Sequence, residues 1–137
     1  MVVAYDITVR ETPKSNNAGG GGTRTNKYAA HREKKHWEGI YLVQLMAAGV
    51  SRGMTHCSAT VELHFARRNH RDKTNYYQPV FKPLADALVI AQYLPDDTEE
   101  FFEAAGFTLT EGEKPWRFEG PLTIASYMKI RLEATYE

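Results

Sequence analysis

Residues 66–100 read ARRNHRDKTNYYQPVFKPLADALVIAQYLPDDTEE, and most of the chain frames them. Arg67, Arg68, Asn69, His70 and Arg71 lead into Asp72, Lys73, Thr74 and Asn75; Lys82, Pro83 and Asp86 follow, and the doublet Asp96, Asp97 closes the stretch. The opening is a cluster of cations beside one carboxylate, and the close adds two more carboxylates after a helical pattern. A fold that returned the far end to the near one would bring phosphate-binding and cation-binding groups together. Pro79 and Pro83 lie inside that pattern, and proline removes an interior helix donor. The secure helix is therefore expected to begin at Pro83 and run through Leu84, Ala85, Ala87, Leu88 and Ala91. Pro95 then breaks the chain, and Asp96, Asp97 and Thr98 are expected to cap a short helix through Phe101 and Phe102 to Ala105, stopped by Gly106.

Upstream, Cys57, Ala59, Val61, Leu63 and Phe65 alternate with Ser58, Thr60, Glu62 and His64, the period of a strand with one wet face. The cationic cluster therefore starts at a strand end. Residues 28–48 change to a period near 3.6, with Trp37, Ile40, Tyr41, Gln44, Leu45 and Ala48 on one stripe, and predict a helix. Its first turns carry His31, Arg32, Glu33, Lys34, Lys35 and His36, a surface that is either solvated or laid along a phosphodiester backbone. Val2 to Arg10 alternates as a first strand and Ser126 to Tyr136 as a last one. Residues 11–27 hold Pro13, Asn16, Asn17 and Gly19 to Gly22, the composition of a flexible loop without the Gly-Lys-Ser/Thr ending of a nucleotide P-loop. Phe107 to Leu109 reads as a short strand and Thr110 to Pro121 as a turn-rich excursion. The sum is one α+β domain over residues 1–137, with a small mixed or antiparallel sheet and helices packed on one face.

Composition narrows the function classes. The single cysteine, Cys57, cannot close an intrachain disulfide and falls in an alternating apolar run, so it reads as a small core residue. The first ten residues place Asp6 and Arg10 among apolar ones, unlike a signal peptide, and no run matches a membrane span, so a soluble cytoplasmic protein is expected. Net charge is zero but divided: residues 1–82 hold 13 Lys/Arg against 6 Asp/Glu, and residues 83–137 hold 4 against 11. A basic part for phosphates and an acidic part for metal suit a nucleic-acid enzyme; attraction between two halves of one fold explains the same division. The five-residue spacing of His31 and His36 is wrong for a zinc pair on one helix face.

Three segments together resemble the RusA-type Holliday junction resolvases, a phage and prophage family of homodimeric endodeoxyribonucleases. Pro13, Lys14, Ser15, Asn16, Asn17 is similar to the family's Pro-x-Ser-Asn-Asn loop. Arg67, Arg68 and Arg71 with Asp72 through Asn75 resemble its Arg-rich Asp-x-Asp-Asn segment. Lys82, Asp86, Ala87, Leu88 and then Asp96, Asp97 resemble its Lys-x-x-x-Asp-Ala-Leu helix and terminal Asp-Asp. The resemblance implies a homodimer that cuts four-way or branched DNA in recombination and repair, using Mg²⁺ or Mn²⁺ and acting in the host cytoplasm if phage-encoded. It makes Asp72 and Asp97 metal ligands, Asp96 an accessory carboxylate and metal ligand, and Lys82 the cation near the scissile phosphate. Arg67, Arg68, Arg71, Lys73, Asn16, Asn17, Lys34 and Lys35 would contact DNA.

Two departures stand out. Thr74 occupies the place of the second aspartate, and about four extra residues separate Asn75 from Lys82. Asp86 or Glu99 could supply the missing ligand, although Asp86 four residues after Lys82 is first of all its ion-pair partner. The alternatives are a RusA-like protein that binds branched DNA without cutting, and a protein-interaction module using the acidic half with Tyr76, Tyr77, Phe101 and Phe102. The tyrosines could stack on unpaired bases or pack in the core.

Overall fold

The computed structural model describes residues 1–15, 26–66, 68, 71–112, 116–117, 123–124 and 126–137. The element order is β1 (Val2–Val9), α1 (Asn26–Ala47), β2 (Met54–Phe65), α2 (Thr74–Ile90), β3 (Phe102–Glu111), β4 (Trp116–Arg117), β5 (Thr123–Ile124) and β6 (Ser126–Tyr136). Four strands form a mixed sheet in the order β1-β6-β2-β3; β6 is antiparallel to both β1 and β2, and β3 runs parallel to β2. Strands β4 and β5 pair separately. The fold is α+β, as expected. Among the described residues no helix is long and apolar enough to cross a membrane.

Strand alternation decides which sheet face is covered. Cys57, Ala59, Val61 and Leu63 of β2 and Met128, Ile130, Leu132 and Ala134 of β6 are buried, while Thr60, Glu62, Arg131 and Glu133 between them are exposed. Onto the apolar face pack Trp37, Tyr41 and Leu45 of α1 and Val80, Phe81, Leu84 and Leu88 of α2, all in one core. Cys57 lies fully within that core, and burial pushes its thiol up to about 12, so it stays protonated and unreactive at neutral pH.

Two expected elements take another form. Helix α2 runs unbroken through Pro79 and Pro83. The prolines are four apart, so both missing donors fall on one helix stripe, and the neighbouring stripe, Val80, Leu84 and Leu88, is fully buried. Apolar burial there outweighs the lost hydrogen bonds. The capped helix expected from Asp96 is absent: residues 95–101 are turns and bends, and β3 begins at Phe102. Asp96 Oδ1 accepts from the adjacent Asp97 N–H (2.7 Å) rather than from a helix turn. Phe102 and Ala104, then Phe107 and Leu109, match the covered face once Ala105 is set aside as an unpaired extra residue, for Ala59 pairs with Ala104 and Thr60 with Gly106. Gly106 serves that bulge by lacking a Cβ, which would stand 3.1 Å from the Thr60 methyl.

Both helices end in the same motif. At α1, Gly49 takes φ +69° and the Val50 N–H bonds back to the Leu45 carbonyl at 3.1 Å. At α2, Gln92 takes φ +64°, the Tyr93 N–H reaches the Leu88 carbonyl (2.8 Å) and the Gln92 N–H that of Val89 (3.0 Å). This turn sends the chain back to the sheet, where the Met54 N–H bonds to the Tyr93 carbonyl (3.0 Å), and it delivers Asp96 and Asp97 alongside α2. A left-handed backbone costs a non-glycine residue about 1–2 kcal/mol, against about 0.4–1 kcal/mol for the freedom glycine adds to the unfolded chain. Gln92→Gly is therefore expected to stabilise the fold by roughly 0.5–1 kcal/mol in urea unfolding.

Candidate nucleic-acid and cation site

The first half of the site is the N-terminal end of α2. Asp72 Oδ1 accepts from the Thr74 N–H (3.0 Å) and the Thr74 hydroxyl (2.8 Å), while the Asn75 N–H donates to the Asp72 carbonyl (3.0 Å). Lys73, immediately before α2, already has helical dihedrals (φ −54°, ψ −36°), so Asp72 ahead of it serves as the cap of the first turn. Thr74, standing where the resemblance calls for a carboxylate, is its hydrogen-bond partner. Lys73 Nζ donates to the Phe107 carbonyl on β3 (3.2 Å). The Arg71 guanidinium lies 4.0 Å from the Phe65 ring centroid and 3.4 Å from Glu111, with its side chain only 14% exposed, so its charge is spent largely inside the protein. Arg68 is exposed and crosses Gly112, whose φ of +77° and close contact both require glycine: a Cβ there would come 2.7 Å from Arg68 Nε. Arg67, Asn16, Asn17, His70 and the Gly19 to Gly22 run lie outside the described residues.

The second half is built around Lys82. Its ammonium is 2.8 Å from Asp97 Oδ2 and 3.0 Å from Asp86 Oδ1. Asp86 also receives Lys34 from α1 at 2.9 Å, and Lys34 and Lys35 both approach the buried Glu38, at 3.8 and 3.2 Å. The result is a ladder of alternating charge across α1, α2 and the segment after α2. Asp97 holds its carboxyl below the ordinary carboxylate range, chiefly through the hydrogen bond from Lys82. Lys82 is raised above the ordinary lysine value by Asp97 first and Asp86 second.

The two halves stay apart. Asp72 and Lys82 are ten positions apart, roughly 15 Å of helix rise. Asp72 therefore stays at the N-terminal end of α2, away from the point where Asp97 meets Lys82. Lys82, Asp86 and Asp97 are brought together, with Asp96 adjoining Asp97; Asp72 bonds to Thr74 instead, and the Lys73 ammonium turns to Phe107. Among the described residues no group of three or more His, Cys, Asp and Glu side chains is arranged to hold a metal ion. Asp86 and Asp97 nonetheless converge on a single point, now filled by an ammonium. Mg²⁺ commonly takes one or two protein carboxylates and completes its shell with water and substrate phosphate, so that pair fits it.

Lys82–Asp86 is a local i,i+4 pair and legible in the sequence. Lys34–Asp86 joins two helices at a sequence distance that no spacing rule reaches, and the Arg71–Glu111 pair likewise depends on the placement of β3. Tyr76 packs against the core with its ring 5.7 Å from Phe65, and Tyr77 remains 46% exposed. No protein-family model matches the chain, and no curated protein matches it.

Proposed function

We propose that this chain is a RusA-like endodeoxyribonuclease acting on Holliday junctions or other branched DNA. The reading is carried by the meeting of Lys82 with Asp97: the resemblance assigns both to one site, and they are 2.8 Å apart although 15 residues separate them. Asp97 and Asp86 would hold Mg²⁺ or Mn²⁺, with Asp96 beside them, and the bound ion would polarise a phosphoryl oxygen and supply an activated water. Lys82, released from one carboxylate, would neutralise charge at the scissile phosphate. Lys73 immediately precedes α2, whose N-terminal N–H groups and dipole favour a phosphate, and the exposed Arg68, against Gly112 past β3, offers a second cation. Homodimerisation would give two such sites for the two symmetric strands of a junction.

A second reading has its own observation. Asp72 is engaged as a helix cap with Thr74 and lies about 15 Å of helix rise from Lys82, so a junction binder that no longer cuts would look like this. Incubating the protein with a labelled four-way junction and a matched duplex, with and without Mg²⁺ or Mn²⁺, separates the two on denaturing and native gels. Paired nicks that need the metal and vanish in Asp97→Asn are expected. Retarded junction without nicks at any metal concentration would replace the first reading by the second. Neither nicks nor retardation would dismiss both.

A further inference from the structure

A second surface lies between α2 and β3, apart from the carboxylate–lysine ladder. A groove of about 510 Å³ is lined by Tyr77 and Phe81 of α2, by Glu99, and by Phe102, Glu103 and Ala104 at the start of β3. Tyr77 and Phe81 are in ring contact at 4.8 Å, and Phe107 meets both edge-on, at 6.1 and 5.5 Å, so the aromatic floor is fixed by its own packing. Tyr77 is the large side chain left 46% exposed there.

The groove adjoins an open strand edge. β3 is last in the order β1-β6-β2-β3, so among the described residues one side of its backbone has no strand partner. At Phe107 the Lys73 ammonium takes the carbonyl, a common way of blunting an exposed edge. From Phe102 to Gly106, beside the groove, no side chain plays that part among the described residues, but the Phe102 N–H is already bonded to the Thr98 carbonyl (2.9 Å) and Ala105 is the bulge, so the open edge there is short. Along it Phe102 and Ala104 belong to the covered face, while Glu103 between them is exposed. Glu99, Glu100 and Glu103 enter no ion pair among the described residues, unlike Asp86 and Asp97.

An occupant has to satisfy all of these at once. A strand added at the β3 edge would present alternate side chains to the aromatic groove and to the side of Glu103. Apolar residues suit the first position; Lys or Arg suits the second, where it would face an unpaired carboxylate across the pair, and a cation at the groove could meet both Glu99 and the Tyr77 ring. A nucleic-acid backbone would meet carboxylates of its own sign. We propose that the α2–β3 groove docks an extended segment of a protein partner in which apolar residues alternate with Lys or Arg, bound by addition to the β3 edge. This docking uses none of Lys82, Asp86, Asp96 and Asp97, on which the nuclease reading rests, and gives Glu99 the role of a groove residue in place of a metal ligand.

The test uses a fluorescein-labelled eight-residue peptide of alternating Lys and Val, its Glu-Val counterpart, and a Lys-Val version N-methylated at alternate amides, all titrated by anisotropy against the full chain. The Lys-Val peptide is expected to bind at least about tenfold tighter than either control. Glu99→Lys with Glu103→Lys, on exposed side chains, is expected to weaken it by at least about tenfold, and Tyr77→Ala to weaken it measurably, while Glu11→Lys, just past β1 at the opposite edge of the sheet, leaves it unchanged. Equal affinity for the three peptides, or equal weakening by Glu11→Lys, would overturn the proposal. So would sedimentation showing a self-association that the Glu99/Glu103 double variant abolishes, since the groove would then belong to a second copy. Displacement of the peptide by a single-stranded oligonucleotide would likewise reassign it to nucleic acid.

Discussion

Lys82→Met is expected to slow metal-dependent cutting of a four-way junction by roughly 10²–10³, the loss that follows removal of one preorganised group stabilising transition-state charge. Stability should change by less than about 1 kcal/mol, because the ammonium is 44% exposed and its ion pairs are screened. The separation of the two effects is what makes the variant informative. Methionine keeps the side chain's length as far as Cε and loses the charge; Asp86 retains Lys34, and Asp97 is left without its principal cation. The proposed site predicts that junction binding survives, since Arg68 and Lys73 are untouched, while single-turnover cutting at saturating protein falls. An unchanged cutting rate would remove Lys82 from the chemistry. A large fall in urea midpoint would show that the ladder is structural first.

The pH dependence of that contact follows from its signs. Asp97 is lowered and so stabilises the fold above its ordinary value of 3.8, a contribution lost as pH falls through its folded value. Lys82 is raised, so its contribution is present below 10.5 and lost as pH rises through its folded value. Between these limits the pair stays charged, and its contribution to stability is flat across the neutral range.

How much of this was legible depended on whether the deciding interaction was local. Strands β1, β2 and β6 and helix α1 were readable because one face of each is buried and the sequence period shows it. Of β3 only Phe107 to Leu109 was, because the extra residue Ala105 breaks the alternation between Ala104 and Phe107 and leaves, before it, a pattern that a short helix also fits. The unbroken course of α2 was hidden for a different reason: the cost of two prolines is written in the sequence, whereas the burial of Val80, Leu84 and Leu88 that offsets it depends on the sheet behind them. In the site, Lys82–Asp86 followed from spacing; Asp97 stood out as a carboxylate in the charge pattern, but only the resemblance set it beside Lys82. That Asp72 would stay at the other end of α2 follows from the helix continuing through Pro79 and Pro83, so the missed helix turn and the divided site have one physical cause.

That cause can be probed from the opposite helix, at Tyr41. Its ring is 1% exposed and its hydroxyl donates to the Val80 carbonyl at 3.1 Å, inside the turn of α2 between the two prolines. Pro83 has no N–H to offer the helix, and Tyr41 ties down the adjacent part of the ladder from α1. Tyr41→Ala is expected to lower unfolding free energy by about 3–5 kcal/mol, the range for emptying a buried aromatic site. Tyr41→Phe should lose only about 0.5–1.5 kcal/mol, because the ring still fills the space and one hydrogen bond is lost. Burial raises the tyrosine hydroxyl far above its ordinary value of 10.0, so wild-type stability should fall as pH climbs past that value, and Tyr41→Phe should fall less steeply. Seven residues upstream, about two turns of α1, Lys34 reaches Asp86 from the same helix. Loosening at Tyr41 should therefore weaken the alignment of Lys34 with Asp86, so on the proposed reading Tyr41→Ala lowers junction cutting even where the protein remains folded, and Tyr41→Phe leaves it near wild type. Equal losses of stability in the two variants would show that the hydroxyl, not the ring, holds α1 to α2.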